Sequence, residues 1–145
     1  MECEEIILAK QIKVVGAAIL NENRQILASK RNGNRILGTL WEFPGGKINL
    51  GETPEEALQR ELFEEFNDSI QVGEQVCPTS VYCYKFGEVH LTVYFAKLVT
   101  HHFDLVAHSK LKWCDQNDLL NLNWADADLP IAKYINKIDL KEVKI

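Results

Sequence analysis

The sequence lacks the patterns of several large protein classes. No apolar run approaches the roughly 20 residues that a membrane-spanning helix needs. There is no Cys-x-x-Cys pair, and Cys3, Cys77, Cys83 and Cys114 have no zinc-ligand spacing to a histidine. We therefore expect reduced, mostly structural cysteines. Internal repeats, linkers and low-complexity segments are also missing, so the 145 residues suit one domain over residues 1–145.

An excess of positive charge is missing too, since the formal net charge is −5. Binding to a nucleic-acid polymer depends on cationic side chains that neutralise its phosphates. The charge therefore argues against such a polymer, but not against one nucleotide carried with a metal ion. The acidic start, MECEEIILAK, has no signal-peptide layout, and we expect a cytoplasmic protein with no membrane partner, either monomer or homodimer.

The pattern of apolar residues predicts an α+β domain. Strands are expected at Ile12–Leu20 and Ile26–Arg31, a long hairpin at residues 75–86 and 88–99, and a short strand at residues 111–115. Helices are expected at residues 115–122 and 127–138. The second of these helices is amphipathic through Ile131, Tyr134, Ile135 and Ile138.

The segment from Pro44 to Ser69 is crowded with carboxylates. It contains Glu52, Glu55, Glu56, Glu61, Glu64 and Glu65. Thr53 is a good helix N-cap, Pro54 suits the first helical position, and Glu56 completes a capping box. These signals predict a helix that begins after Thr53 and ends near Phe66.

Three of these carboxylates share one side of the predicted helix. At about 100° per residue, Glu61, Glu64 and Glu65 fall within an arc of roughly 100°, beside an apolar stripe. Carboxylates held this close repel one another when charged, and a hard divalent cation such as Mg²⁺ relieves that repulsion through oxygen ligands. The alternative is an acidic helix face that is simply solvated.

The spacing of these residues decides between the two interpretations. Gly46 is followed after five residues by Glu52 and after seven more by Arg60-Glu61-Leu62, then Glu64-Glu65. This arrangement resembles the Nudix box, G-x5-E-x7-R-E-U-x-E-E-x-G-U, where U is a bulky apolar residue. The flanking sequences LWEFPGGK and ETPEEA resemble the MutT-like branch of that family. The resemblance implies an α/β/α sandwich with a mixed sheet and a loop–helix–loop motif at about residues 46–68.

The sequence departs from the family pattern at two places. At the end of the box, Asn67 and Asp68 replace the usual glycine and apolar residue. Because Asn tolerates the left-handed conformation, we expect Asn67 to end the helix and Ile70 to supply the apolar contact. Many MutT-like enzymes carry a further Glu before a late Trp. Ala107 stands at that position here. Either Asp104 or His108 replaces the missing Glu, or the glutamates of the box suffice without it.

The resemblance implies a Mg²⁺-dependent hydrolase, with Mn²⁺ as a substitute, that converts a nucleoside triphosphate to the monophosphate and pyrophosphate. It implies a metal site formed by Glu61, Glu64, Glu65 and the carbonyl oxygen of Gly45. Glu61 is a ligand or the base that deprotonates water, and Arg60 orients a glutamate.

The resemblance also implies residues that bind the nucleotide. They are Arg31 and Lys47 for the phosphates, Glu52 in the loop before the helix, and Asp128 for the base. Arg31 is alternatively an exposed charge at the end of a strand. Asp128 is alternatively an ordinary N-cap, and Tyr94 or Phe95 can face a base or the core. Oxidised purines such as 8-oxo-dGTP are the first expected substrates, and CTP, dCTP or 5-methyl-dCTP the second. A Nudix-fold module that binds a nucleotide without cleaving it is a further alternative.

Overall fold

The computed structural model of the chain describes residues 10–31, 40–100 and 109–145, without the side chains of Arg31 and Ser109. The strands of these ranges are β1 (Gln11–Ile19), β2 (Ile26–Arg31), β3 (Trp41–Glu42), β4 (Gly45–Lys47), β5 (Ile70–Gln75), β6 (Ser80–Tyr84), β7 (Gly87–Leu98) and β8 (Ser109–Cys114). The helices are α1 (Pro54–Phe66) and α2 (Leu129–Ile135), with short 3-10 helices at Gln116–Asn121 and Leu140–Glu142. Within these ranges, every helix is too short or too polar to cross a bilayer.

Strand β1 lies at the centre of a mixed five-stranded sheet. It runs parallel to β7, from the pair Gln11 and Glu88 to the pair Ile19 and Ala96, and antiparallel to β4 on its other side. The strand order is β4-β1-β7-β5, and β6 pairs with another part of β7. A second, antiparallel sheet has the order β3-β2-β8.

The alternation of side chains along β1 builds two core layers. Val15, Ala17 and Ile19 pack with the buried face of α1, whereas Ala18 and Leu20 pack in the cluster that contains α2. Successive side chains of a strand point to opposite faces, so one apolar strand serves both layers. The predicted α/β/α sandwich with a mixed sheet is confirmed.

Several predicted elements differ from the observed ones. Within residues 115–122, Gln116–Asn121 form a 3-10 helix rather than an α-helix, and α2 covers only the middle of residues 127–138. Tyr134 was expected on an apolar stripe, yet it is 43% exposed. Cys77 and Cys114 are free thiols, but Cys83 is disulfide-bonded, which contradicts the expectation for that cysteine.

Both ends of α1 follow from local side-chain chemistry. The Thr53 hydroxyl accepts a hydrogen bond from the Glu56 N–H, and the Glu56 carboxylate accepts one from the Thr53 N–H, so the predicted capping box is confirmed. Asn67 adopts the left-handed conformation with φ 54° and donates its N–H to the Phe63 carbonyl. Ile70 is 3% exposed in the α1 core layer, as expected from the altered box end.

The left-handed conformation of Asn67 predicts a difference between two substitutions. Asn67→Ala is expected to lower the free energy of unfolding by about 1 kcal/mol, because alanine lacks the short polar side chain that lets Asn tolerate this conformation. The Asn67→Gly variant is expected to be at least as stable as the wild type, since glycine adopts the left-handed conformation without steric cost. Urea denaturation of the three proteins measures the difference. Equal stability of the alanine and glycine variants would contradict the assigned helix end.

Candidate active site

Two adjacent glycines in β4 allow three elements to approach closely. A Cβ atom at Gly45 would lie 2.0 Å from the Val15 carbonyl oxygen, so glycine is required for the contact between β4 and β1. A Cβ atom at Gly46 would lie 2.3 Å from the carboxyl carbon of Glu61. The space that Gly46 leaves open therefore holds the Glu61 carboxylate against the strand.

Arg60 gathers the acidic side chains of this region. Its Nε and Nη2 bind the two oxygens of Glu52 at 2.7 and 2.9 Å, a bidentate pair of the kind expected for this residue. Nη1 lies 2.8 Å from Glu61 Oε1 and 3.8 Å from Glu64 Oε2. Nη2 also donates to the Lys47 carbonyl at 3.0 Å. The guanidinium therefore connects β4, the following loop and α1.

These contacts favour the charged forms of Arg60 and Glu52. Hydrogen bonds to Glu52 and then to Glu61 raise the pKa of Arg60 above its ordinary value. The hydrogen bond from Arg60, with a second from the Asn49 N–H, lowers the pKa of Glu52. Glu52 is predicted to bind substrate, and in the structure its two oxygens contact Arg60 and Asn49. Its place in the structure is to hold the loop and Arg60 together.

The expected metal ligands form a donor set of oxygens only, which suits a hard divalent cation. Glu65 is 8% exposed on α1, whereas the side chain of Glu64 is 62% exposed. Among the residues that the structure describes, no three His, Cys, Asp or Glu side chains converge closely enough to hold a metal ion. Arg60 draws the Glu61 carboxylate to itself. The donor chemistry therefore fits a metal, while the carboxylates are collected around the guanidinium.

A cleft of about 580 Å³ opens beside this network and has two chemically different ends. The end formed by β4 and α1 is polar and includes Gly45, Gly46, Lys47, Asn49 and Glu61. The end formed by the β6–β7 hairpin and residues 125–128 includes Tyr84, Phe86, Leu91, Ala127 and Asp128, with Phe43 beside them. Phe43 stacks on Trp124 at 4.7 Å between ring centroids, which stabilises this wall.

Asp128 lies at the apolar end of the cleft and is only 6% exposed. It occupies the N-cap position of α2 but makes no side-chain capping hydrogen bond. Instead, its Oδ2 accepts the Phe43 N–H at 2.9 Å. Burial raises the pKa of this carboxyl well above its ordinary value, although the hydrogen bond from Phe43 opposes the shift. Plain capping is therefore the wrong interpretation of this residue.

The structure brings together four of the predicted site residues along the cleft: Gly45, Lys47, Glu61 and Asp128. The described residues that line the cleft do not include Arg60, Glu52, Glu64 or Glu65. The backbone of Arg31 lies in β2, but its side chain is outside the described part. Ala107, with Asp104 and His108, also falls outside the described residues.

Sequence reasoning missed the aromatic residues of the cleft, Phe43, Tyr84 and Phe86. Phe43 lies between β3 and β4, directly before Pro44, and Tyr84 and Phe86 lie at the β6–β7 turn. Their closeness to these chain reversals in the sequence was the available signal. Tyr94 and Phe95 were the aromatic candidates instead. Phe95 is 1% exposed in the core, and neither is among the described residues that line the cleft.

Comparison with known proteins agrees with this geometry. The model of the NUDIX domain family matches residues 10–135. The chain is 33% identical to a CTP pyrophosphohydrolase of Escherichia coli (strain K12) over 128 residues, which cover 86% of this chain and 90% of the relative. It is 36% identical over 86 residues to an 8-oxo-dGTP diphosphatase of the same strain, covering 59% and 64% of the two chains.

The fold of the chain is also similar to that of a solved structure. The solution structure of the MutT protein, a Nudix hydrolase, from methicillin-resistant Staphylococcus aureus 252 has a TM-score of 0.73 and 41% identity. That similarity covers 88% of this chain and 97% of the other. The family model, the relatives and the fold together show that the chain belongs to the Nudix family, on its MutT-like branch.

Proposed function

We propose that the protein is a Mg²⁺-dependent nucleoside triphosphate pyrophosphohydrolase, which releases the monophosphate and pyrophosphate. One observation carries the proposal. The cleft combines glycines, Lys47 and Glu61 at one end with a buried Asp128 and aromatic residues at the other. A nucleotide has the same two parts, an anionic phosphate chain and a flat base with polar edges, so each end of the cleft suits one part.

The glutamates and a backbone oxygen form the proposed metal site. Glu61, Glu64, Glu65 and the carbonyl oxygen of Gly45 would hold Mg²⁺, or Mn²⁺ in its place. The ion would supply charge neutralisation on the phosphates and orient the attacking water. Glu64 has an exposed side chain, which leaves it room to turn toward such a site.

The remaining residues position the reacting groups. Glu61 acts as a ligand or as the base that accepts the proton of the attacking water, while the bridging bond between the α- and β-phosphates breaks to give the monophosphate and pyrophosphate. Arg60 fixes the Glu61 carboxylate, and Glu52 fixes Arg60. Lys47, together with Arg31, contacts the phosphates. Turnover in ¹⁸O-labelled water identifies which phosphorus is attacked.

The proposed partner is a single small nucleotide rather than a nucleic-acid polymer or a membrane. We treat residues 1–145 as one domain, monomeric or homodimeric. A cytoplasmic location stays a prediction, which fits a substrate drawn from the nucleotide pool.

The base end of the cleft favours an oxidised purine such as 8-oxo-dGTP. A carboxyl group that stays protonated to higher pH has an O–H donor, and purines carry carbonyl oxygens that accept from it. The burial of Asp128 produces that state. The function that follows is removal of damaged nucleotides from the pool.

A cytidine nucleotide (CTP, dCTP or 5-methyl-dCTP) is the second candidate. It is favoured by the similarity to the CTP pyrophosphohydrolase, which extends over 90% of that protein. The ionised form of Asp128 would accept a hydrogen bond from the cytosine amino group. The protonation state of one residue therefore separates the two candidates.

Substitutions in the Arg60 network test the proposed chemistry. With Mg²⁺ and a panel of nucleoside triphosphates, Arg60→Lys is expected to lower kcat/KM about 10- to 100-fold, because lysine cannot form the bidentate pair. Glu64→Gln is expected to lower it further, since a proposed metal ligand is lost. Release of monophosphate and pyrophosphate measures both effects.

Matched controls separate local effects from general ones. Arg24→Lys and Glu55→Gln alter the same residue types away from the network, and they are expected to retain wild-type rates. If the wild-type protein hydrolyses no nucleotide beyond those that the Glu64→Gln variant also hydrolyses, the proposed enzymatic activity is contradicted. In that case the alternative function, a Nudix-fold module that binds a nucleotide without cleaving it, is supported.

Competition between two substrates tests the role of Asp128. With 8-oxo-dGTP and CTP offered together, the wild type is expected to consume 8-oxo-dGTP first. Asp128→Ala is expected to narrow that preference by about tenfold, because the base loses a hydrogen-bonding partner. Asp126→Ala, at an exposed neighbouring position, serves as the control. Faster loss of CTP supports the second candidate, and an unchanged preference in Asp128→Ala contradicts base recognition by this residue.

The raised pKa of Asp128 also predicts a dependence of stability on pH. In the folded protein the carboxyl holds its proton to higher pH than in the unfolded chain. Stability should therefore fall as pH rises from the unfolded pKa toward the raised one, by at most about 1.4 kcal/mol per pH unit. Asp128→Asn should lack this slope. Urea denaturation from about pH 4 to about pH 9 compares the two proteins, and parallel profiles would disprove the shift.

A further inference from the structure

Tyr84 lies at the apolar end of the cleft without a role in the proposed chemistry. It ends β6, is 9% exposed, and lines the cleft beside Ala127 and Asp128. Its ring stacks on Phe86, with centroids 5.0 Å apart and planes 7° from parallel. The stacking and the burial hold the phenol in one orientation, so the position of its hydroxyl is set by the fold.

The Tyr84 hydroxyl is engaged on one side only. The Ala127 N–H donates to its oxygen at 3.0 Å. A phenol also has an O–H donor of its own, and this donor stays available when the oxygen accepts a hydrogen bond. Among the described residues, this O–H donates no hydrogen bond. Buried hydroxyl groups normally have a partner, so a group in the cleft is the expected acceptor.

The surroundings keep this hydroxyl protonated. Burial raises the pKa of Tyr84 to about 12, although the hydrogen bond from the Ala127 N–H opposes the shift. The group is therefore a hydrogen-bond donor over the whole range in which the protein is expected to work. Lys47 and the β4 glycines lie at the other end of the cleft, which is the end suited to phosphates.

We infer that Tyr84 determines substrate specificity by donating a hydrogen bond from its hydroxyl to an acceptor atom on the nucleoside part of the bound nucleotide. The inference rests on the proposed function, because the nucleoside is the part of that substrate which fits the apolar end. Tyr84 and Asp128 then recognise the nucleoside together, one from the hairpin and one from the loop before α2.

Two tyrosine substitutions on the same strand test the inference. Tyr84→Phe removes the hydroxyl and keeps the ring, and Tyr82→Phe does the same at a position that is 40% exposed. Tyr84→Phe is expected to raise KM for the preferred nucleotide about tenfold with little change in kcat, as lost uniform binding does. Inhibition by inorganic tripolyphosphate, which has no nucleoside, should be the same in all three proteins.

Each result supports or overturns the inference. A rise in KM for Tyr84→Phe alone, with unchanged tripolyphosphate inhibition, supports it. Equal behaviour of Tyr84→Phe and Tyr82→Phe overturns it. A loss of nucleotide turnover together with weaker tripolyphosphate inhibition also overturns it, because the hydroxyl would then serve only the structure of the Ala127 loop.

Two measurements keep the test independent of turnover and of the variant's folding. Calorimetry of nucleoside monophosphate binding compares the proteins even if the wild type hydrolyses no nucleotide. An absence of hydrolysis would refute the proposed function but not the inference about Tyr84. In wild-type protein with ¹³C-labelled tyrosine, the Tyr84 Cζ resonance should shift on addition of the monophosphate. It should not shift with pyrophosphate, and Tyr82 is the internal reference. An unmoved Tyr84 signal in the bound protein overturns the inference.

Discussion

The guanidinium of Arg60 makes the acidic Nudix box compatible with a folded site. One cation contacts Glu52, Glu61 and Glu64 and also donates a hydrogen bond to the Lys47 carbonyl. Without it, three carboxylates would repel one another across a short loop and one turn of helix. Because the side chain is 28% exposed, its contacts are only partly screened by water. The loop, β4 and α1 therefore keep their relative positions through this residue.

The second constraint is steric and comes from the two glycines of β4. Gly45 permits the contact with the β1 backbone, and Gly46 leaves the space in which the Glu61 carboxylate lies. Arg60 and Gly46 thus act on the same carboxylate, one by attraction and the other by leaving room. The central strand β1 supports both, since it pairs with β4 while its side chains pack against α1.

The sequence predicted those parts of the site whose causes are local. The capping box of α1 and its left-handed end at Asn67 involve residues close in the chain, whereas the pair of Arg60 with Glu52 was not predicted. The base end of the cleft combines Phe43, Tyr84 and Asp128, which only the fold brings together. The sequence pattern could suggest Asp128 as a base-binding residue, but it could not show the hydrogen bond that Asp128 accepts from the Phe43 N–H. Helix capping therefore stayed open as an alternative role. The 3-10 helix at Gln116–Asn121 was missed because its apolar spacing also suits an α-helix.

The unusual end of the box affects stability more than it affects the site. Asn67 still closes the last turn of α1 through the Phe63 carbonyl, so the spacing of Glu61, Glu64 and Glu65 on the helix is kept. Asp68 is 4% exposed, and its Oδ2 has no hydrogen-bond partner among the described residues. Leaving a buried acceptor unpaired costs about 1–3 kcal/mol. That cost lowers the free energy of unfolding, while Glu61, Glu64 and Glu65 keep their spacing along α1.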